Sequence, residues 1–328
     1  MDAAHLLDAS RRAQGRLLRG TAWFLLRNLH QSAVRNSGLF QEWFHCPMNY
    51  ARIMELPLTM LFLEADRSDR ILDVSSPKLL SMCYGRWGFR HLVAADVEDY
   101  FVRDYDVYRE LCNLQLATSV FDATKAIPFP EGHFDKAFSI SVLEHIPDDG
   151  DRRALSEIMR VLRDDGRLVI TLPAFSEYVE EWVSPHRTPY WQKSAANAGG
   201  RVFYQRRYDS DALYERLSVD GARIEETILI AEKPVDKPRL SDDGMMLHNS
   251  YYIDRVRMAR LLRTIGRRIR RLPFMGYMAE SLVSRKCHYL TSDWSDPNIR
   301  QVVVSIRKQH SAKKPAAGSV RPGLESHG

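Results

Sequence analysis

Apolar and polar positions follow two rhythms along this chain. Through residues 1–66 the spacing is helical. That stretch is basic at first, with Arg11, Arg12, Arg16 and Arg19, then aromatic and apolar through Phe40, Trp43, Phe44 and Leu56 to Leu63. From Arg70 onward the texture changes to short apolar runs separated by helical stretches. Ile71-Leu72-Asp73-Val74 predicts a buried strand, and residues 77–84 a helix with proline in its first turn. Residues 91–95 predict a second strand ending at Asp96. Tyr105, Tyr108, Leu111, Cys112 and Gln115 keep helical spacing, and a short strand then leads to Phe121-Asp122. Residues 134–140 read as the next strand and residues 151–162 as an amphipathic helix with Leu155, Ile158, Met159 and Leu162 on one side. Asp164-Asp165-Gly166 turns into a strand over 167–172. Strand and helix alternate at βαβ spacing, which predicts an α/β fold with a parallel sheet covered on both faces.

Beyond Pro173 the pattern gives a loop, a helix over 209–217 and a strand over 223–231. The next strand candidate, Gln301-Val302-Val303-Val304-Ser305-Ile306, comes some seventy residues later. The expected organisation is a helical basic extension (1–66), a core (67–233), a helical arginine-rich insertion or cap (234–297), a last core strand (298–309) and a disordered tail rich in Ala, Gly, Pro and Lys (310–328).

Composition narrows the class. The chain has 328 residues, 45% hydrophobic and 27% charged, which excludes a wholly disordered or collagenous protein. No run reaches the ~18 uncharged apolar residues of a membrane span, and no small-residue cleavage site follows Thr21 to Leu26, which argues against a signal peptide. Cys46, Cys83, Cys112 and Cys287 are scattered without a CxxC pair, so they read as free thiols in a reducing cytoplasm. The histidines form no HxxxH pair, so no metal is expected. The net charge is +5, and eight arginines between Arg255 and Arg271 account for the whole excess. Taking them away leaves −3, so the rest of the chain has no nucleic-acid footprint.

In an open α/β sheet, ligands sit beyond the carboxyl ends of the strands. Strand one ends in Asp73-Val74-Ser75-Ser76-Pro77-Lys78, strand two in Asp96, strand three in Asp122-Ala123. Strand four ends in Ser139-Ile140-Ser141, followed by Leu143-Glu144-His145-Ile146. An acid at the end of strand two, 23 positions after Asp73, suits the two hydroxyls of a ribose. A second acid, at the end of strand three, suits an adenine amino group, with the Ala123 N–H donating to the ring. Any one of these acids is as readily structural.

Residues 70–174 resemble the class I S-adenosylmethionine-dependent methyltransferases of the type 11 group. The resemblance rests on Asp122-Ala123-Thr124-Lys125-Ala126-Ile127-Pro128-Phe129 followed by His133-Phe134-Asp135. It rests also on Leu143-Glu144-His145-Ile146 and on Arg160-Val161-Leu162-Arg163-Asp164-Asp165-Gly166-Arg167-Leu168. It implies a Rossmann-like sheet of seven strands and S-adenosylmethionine as cofactor, held by Asp73, Ser75, Ser76, Pro77, Asp96, Val97, Asp122, Ala123, Ser139 and Ile140. The family's first loop is rich in glycine, whereas this chain has Ser75, Ser76 and Pro77 and no glycine until Gly85. Either the loop follows another path, with serine hydroxyls and backbone N–H groups meeting the cofactor's carboxylate, or the domain is a non-catalytic scaffold. The Ser-Ser-Pro-Lys loop is similar to that of methyltransferases accompanying bacterial surface-polysaccharide synthesis. That implies O-methylation of a saccharide or glycan precursor; a quinone, lipid or secondary-metabolite acceptor is the alternative.

A hydroxyl acceptor needs a base, and His145 is the candidate, although it equally suits a packing or helix-start role. His186, Tyr204, Arg206 and Arg207 follow strand five, where the family builds its acceptor pocket, and are the candidate substrate-binding residues. Met258, Leu261, Leu262, Ile265, Ile269 and Leu272 recur at helical spacing among the arginines. That stripe either packs on the core or docks residues 255–278 on an anionic membrane surface, helped by Trp23 to Leu26. The expected location is cytoplasmic, possible contact with the inner membrane face included.

Overall fold

The structure, a computed structural model, describes residues 2–185, 197–233, 257–268 and 272–310. Four helices come first: α1 (Ala3–Asn28), α2 (Ser32–Arg35), α3 (Gly38–His45) and α4 (Arg52–Leu63). Then follow β1 (Arg70–Val74), α5 (Lys78–Trp87), β2 (His91–Asp96), α6 (Asp99–Cys112), β3 (Ala117–Val120), β4 (Phe134–Ile140), α7 (Gly150–Val161) and β5 (Leu162–Pro173). The second half holds β6 (Val179–Val183), β7 (Asn197–Ala198), β8 (Arg201–Arg207), α8 (Ser210–Leu217), β9 (Ala222–Glu232), α9 (Arg257–Arg268), α10 (Met275–Cys287), β10 (His288–Thr291) and β11 (Ile299–Lys308).

The main sheet has the order β10-β9-β11-β5-β4-β1-β2-β3. From β3 to β5 the strands are parallel, and β11, β9 and β10 complete the edge with antiparallel pairing. The sheet thus has eight strands where seven were expected. The extra strand is β10, four residues directly behind α10, a run too short to show a period of its own. It falls within the 234–297 segment that the sequence pattern assigned to a helical insertion.

Successive strand residues alternate between two cores, as the pleat requires. Ile71, Phe138, Ile140, Val169, Ile230 and Val303 face one layer; Leu72, Ala137, Leu168, Ile170, Leu229 and Val302 face the other. α7 and α8 cover the second face with Leu155, Ile158, Leu213 and Leu217. The first face is covered by α1, α3, α4, α5 and α6 through Leu17, Phe40, Leu56, Leu63, Leu80 and Tyr108. The basic N-terminal segment is therefore half of a three-layer core. Leu17, Leu56, Leu58 and Leu63 are completely buried, each contributing about 1.5–3 kcal/mol.

A second sheet, β6-β8-β7, stands where the sequence predicted only a loop. Its strands pair charged and polar side chains, Glu181 with Arg207 at 3.0 Å and with Gln205 at 2.5 Å, which hides the apolar alternation. Of the arginine-rich segment, Arg255, Ile269, Arg270 and Arg271 lie outside the described residues, as do the side chains of Arg257, Arg260, Arg263, Arg267 and Arg268. On α9, Ala259 is buried against Tyr50, Ala279 and Val283, with Leu262 packed beside them, whereas Met258 and Leu261 are exposed. Residues 311–328, the bulk of the expected tail, also lie outside the description. Among the described residues no helix is long and apolar enough to cross a membrane.

Candidate functional site

The carboxyl tips of β1, β2 and β4 are tied together by the serines that replace the glycine loop. Ser75 itself takes the left-handed conformation, φ +56, that a glycine would adopt freely. Its N–H donates to the Ala95 carbonyl at 2.8 Å, one residue before Asp96. The Ser76 N–H donates to Asp73 Oδ1 at 3.0 Å, and its Oγ accepts from the Ile140 N–H at 3.0 Å. Ser139 Oγ donates to the Val74 carbonyl at 3.0 Å. The chain thus turns sharply without glycine because each serine also gains a hydrogen bond at the turn.

The acids at the tips divide the work. Asp73 is fully buried and its carboxylate is taken by the Ser76 N–H and the Ser81 hydroxyl, with the Tyr105 hydroxyl 3.5 Å away. Burial raises it to about 6, against the pull of those hydrogen bonds. Its side chain organises the loop from inside. Asp96 is half-buried at the tip of β2; its Oδ1 accepts the Glu98 N–H at 2.8 Å, and burial raises its pKa. Val97, next in the chain, is 57% exposed, an apolar face left open beside a carboxylate. Asp122 Oδ1 accepts from the Thr124 N–H at 2.9 Å and its hydroxyl at 2.7 Å, forming a turn, with Ala123 half-buried beside it. Lys78, absent from the sequence candidates, is buried at the start of α5. Its ammonium lies 3.8 Å from the Phe101 ring centre and 3.5 Å from Asp104, and burial lowers its pKa although Asp104, Asp96 and Asp73 support the charge.

Beyond β4, Ser141 is also left-handed, at φ +52. Strained non-glycine residues gather at functional sites, and Ser75 and Ser141 flank the two central tips. The Ser141 hydroxyl donates to Glu55 Oε1 at 2.6 Å, reaching into α4. Thr171 and Gln301 donate to the same oxygen, and Arg52 binds the other. The sequence reading passed over this cluster, although Glu55 stands alone in the apolar run Arg52–Leu63, a signal that a buried partner awaits it.

His145 ends a single 3₁₀ turn, Leu143–His145, with Nδ1 2.7 Å from the Tyr204 carbonyl and its ring edge-on to the Tyr204 ring at 5.3 Å. A carbonyl only accepts, so Nδ1 carries the proton and Nε2 keeps its lone pair. Burial lowers the imidazole to about 4, assisted by the Arg52 charge and opposed by the Tyr204 bond. Glu144 is buried beside it, with Oε1 3.8 Å from His145 Nε2 and Oε2 without a hydrogen-bond partner. Burial first, and then the Glu55 charge, raise this carboxyl to about 8.

The proposed acceptor residues are distributed differently from the sequence reading. Tyr204 is half-buried against His145 as described, and His186 lies outside the described residues. Arg206 is completely buried and donates to the carbonyls of Ile146 (2.5 Å) and Asp148. Arg207 is buried against Glu181 at 3.0 Å and lies over the Phe175 ring. Both arginines, expected to bind substrate, are thus buried and engaged with the protein's own backbone and carboxylates. Together with Arg216 and Tyr208 on Asp151, Arg206 clamps the segment after β4 and so positions His145. Among the described residues no group of His, Cys, Asp and Glu side chains is arranged to hold a metal ion.

Residues 75–170 match the model of a methyltransferase domain. No curated protein matches the chain. Among solved structures it is similar to the [4+2]-cyclase SpnF, at 18% identity and TM-score 0.45 over 89% of this chain and 95% of that one. It is also similar to a putative methyltransferase from Bacillus halodurans C-125, at 14% identity and TM-score 0.44 over 78% and 99%. A third is the 1,6-didemethyltoxoflavin-N1-methyltransferase of Burkholderia thailandensis, at 12% identity and TM-score 0.44 over 78% and 77%. Overlays this loose leave the functional reading to the domain match and the residue geometry. The cofactor of such a domain is S-adenosylmethionine, and the donor set at these tips fits it. Asp96 offers a half-buried acceptor for ribose hydroxyls, Val97 and Ala123 offer apolar surface for a base, and the Ser75–Pro77 turn opens onto the N-terminus of α5. Within its 328 residues, the similarity to a methyltransferase domain thus falls on residues 75–170, the stretch that carries these strand tips.

Proposed function

We propose that the protein transfers a methyl group from S-adenosylmethionine to a hydroxyl, on a saccharide or glycan precursor. The observation that carries the reading is the left-handed Ser75 turn, whose N–H bond to the Ala95 carbonyl sets a glycine-like turn beside the half-buried Asp96 at the tips of β1 and β2. Bound S-adenosylmethionine supplies a methyl already activated by its sulfonium. The residues therefore have to bind, orient, dry and deprotonate. Asp96 holds the ribose, Asp122 and Ala123 the base, and the backbone of Ser75 to Pro77 the amino-acid end. Leu143 and Ile140, both buried, help keep water from the reacting face. His145 Nε2 receives the acceptor's proton, in the tautomer that the Tyr204 carbonyl selects. The Tyr204 ring beside it suits the face of a hydroxylated ring.

One observation favours a non-catalytic scaffold: the turn has no glycine, and buried Lys78 and Tyr105 pack close to it, the Tyr105 hydroxyl 3.5 Å from Asp73. Calorimetric titration with S-adenosylhomocysteine separates the two readings. Wild type should bind, and Asp96→Ala should bind some 30-fold or more weakly, since two charge-assisted hydrogen bonds contribute about 2–4 kcal/mol. No heat at millimolar ligand leaves the scaffold; equal binding by the variant removes Asp96 from the site. Labelled methyl transfer to a panel of nucleotide sugars tests the acceptor class, and transfer only to non-sugar hydroxyls would refute it.

A further inference from the structure

An open cleft lies at the far end of the sheet from these tips. It measures about 660 Å³ and is lined by Arg16, Arg19, Gly20 and Trp23 of α1, Arg67 before β1, and Arg86 and Trp87 at the end of α5. That volume falls within the usual range for small-molecule sites. Gly20 shapes its floor. A Cβ there would lie 3.2 Å from Cys83 Sγ and 3.4 Å from the Trp87 ring, so glycine lets α1 and α5 close up beneath the opening.

The lining brings four guanidiniums together against one carboxylate, Asp66, whose Oδ1 already accepts the N–H and hydroxyl of Ser68. Among the described residues none of Arg16, Arg19, Arg67 and Arg86 forms an ion pair with a carboxylate. Two of them are instead laid on tryptophans: Arg86 lies 3.8 Å from the Trp23 ring centre and Arg16 5.2 Å from that of Trp87. A further arginine, Arg27, lies 4.9 Å from the Trp23 ring. A stacked guanidinium uses its flat face and keeps its N–H edge, which matches two phosphate oxygens at once. Four like charges gathered against a single counter-charge repel one another, and a bound dianion relieves that repulsion while the concave wall concentrates the field.

We propose that this cleft binds a phosphate- or diphosphate-bearing anion, either a soluble phosphorylated metabolite or a lipid headgroup. The site is independent of the methyl-transfer reading, since none of its residues touches the strand tips. The probes are inorganic pyrophosphate, by calorimetry at fixed ionic strength, and vesicles of phosphatidylcholine with or without phosphatidylglycerol, by co-sedimentation. The full-length chain is compared with the pairs Arg19→Gln/Arg86→Gln and Arg16→Gln/Arg67→Gln, and with Arg103→Gln on α6 as a control. These side chains lie at the surface of the cleft, so the variants should keep the thermal midpoint of wild type.

Pyrophosphate binding that both pairs weaken at least about tenfold, and the control does not, supports the site with a soluble ligand. Pelleting with phosphatidylglycerol vesicles alone, lost in both pairs and competed by pyrophosphate, supports it with a lipid source. No binding of either probe overturns the proposal, and so does binding that the pairs retain.

Discussion

Glu55 of α4 accepts a 2.6 Å hydrogen bond from the hydroxyl of Ser141, 86 residues away at the tip of β4. The same oxygen accepts from Gln301 at 2.6 Å and Thr171 at 3.2 Å, and Arg52 holds its neighbour. One wholly buried carboxylate thus joins the N-terminal layer to three strands at the functional end of the sheet. Glu55→Ala strands three donors and one guanidinium, and breaking a buried ionic cluster costs about 3–5 kcal/mol. Ser141→Ala, which removes one donor of three, should cost about 1 kcal/mol. Urea unfolding of both variants checks this; a loss below about 1 kcal/mol for Glu55→Ala contradicts the role given to Glu55.

The parallel half of the sheet was readable because short apolar stretches such as Ile71-Leu72, Leu92 to Ala95 and Leu168 to Ile170 alternate with helical spacing. Asp73, Asp96, Ser139 and His145 are all at the tips where the pattern put them. Reading failed where long-range pairing replaced local rhythm. The β6-β8-β7 sheet is held by Glu181–Arg207 and by backbone pairing, neither of which leaves a period in the sequence. The buried partners of Arg206 and Arg207 were hidden for the same reason. An arginine that caps backbone carbonyls has the same letter as one that grips a substrate. Glu55 escaped because its partners are scattered from position 52 to 301.

Arg206 accordingly contributes to stability. Its side chain is buried under the Ile146 and Asp148 carbonyls, so Arg206→Gln should lower unfolding free energy by about 2–3 kcal/mol. Released from that clamp, the segment carrying His145 should also exchange its amide protons faster. An unchanged stability with a raised acceptor KM would return Arg206 to the substrate site.

Glu144 makes stability depend on pH. Its folded-state pKa, about 8, lies above the ordinary value of 4.5. The unfolded chain therefore releases this proton first as pH rises. The stabilisation is complete below about 4.5, and is lost progressively until about 8, at about 1.4 kcal/mol per pH unit. Glu144→Gln keeps the neutral shape without that loss. Measured by urea unfolding, the variant should gain on wild type from pH 5.5 to 8 and gain nothing further above; a constant difference across that range contradicts a buried, protonated Glu144.

His145 should behave in the opposite sense. Burial holds it near 4, below the ordinary 6.5, so the unfolded chain takes up the proton first as pH falls. Stability from this residue is present above about 6.5 and is lost as pH falls towards 4. Between those values the ring stays neutral, with Nδ1–H on the Tyr204 carbonyl. Nitrogen-15 NMR of ring-labelled protein reads both features directly. The expected spectrum shows the Nδ1–H tautomer unchanged from pH 8 to about 5, with titration only near 4. If His145 is the base, methyl transfer should then show no acid limb at pH 6.5. A ring that titrates at 6.5, or one protonated on Nε2 at neutral pH, would withdraw the lone pair on which its proposed role as base rests.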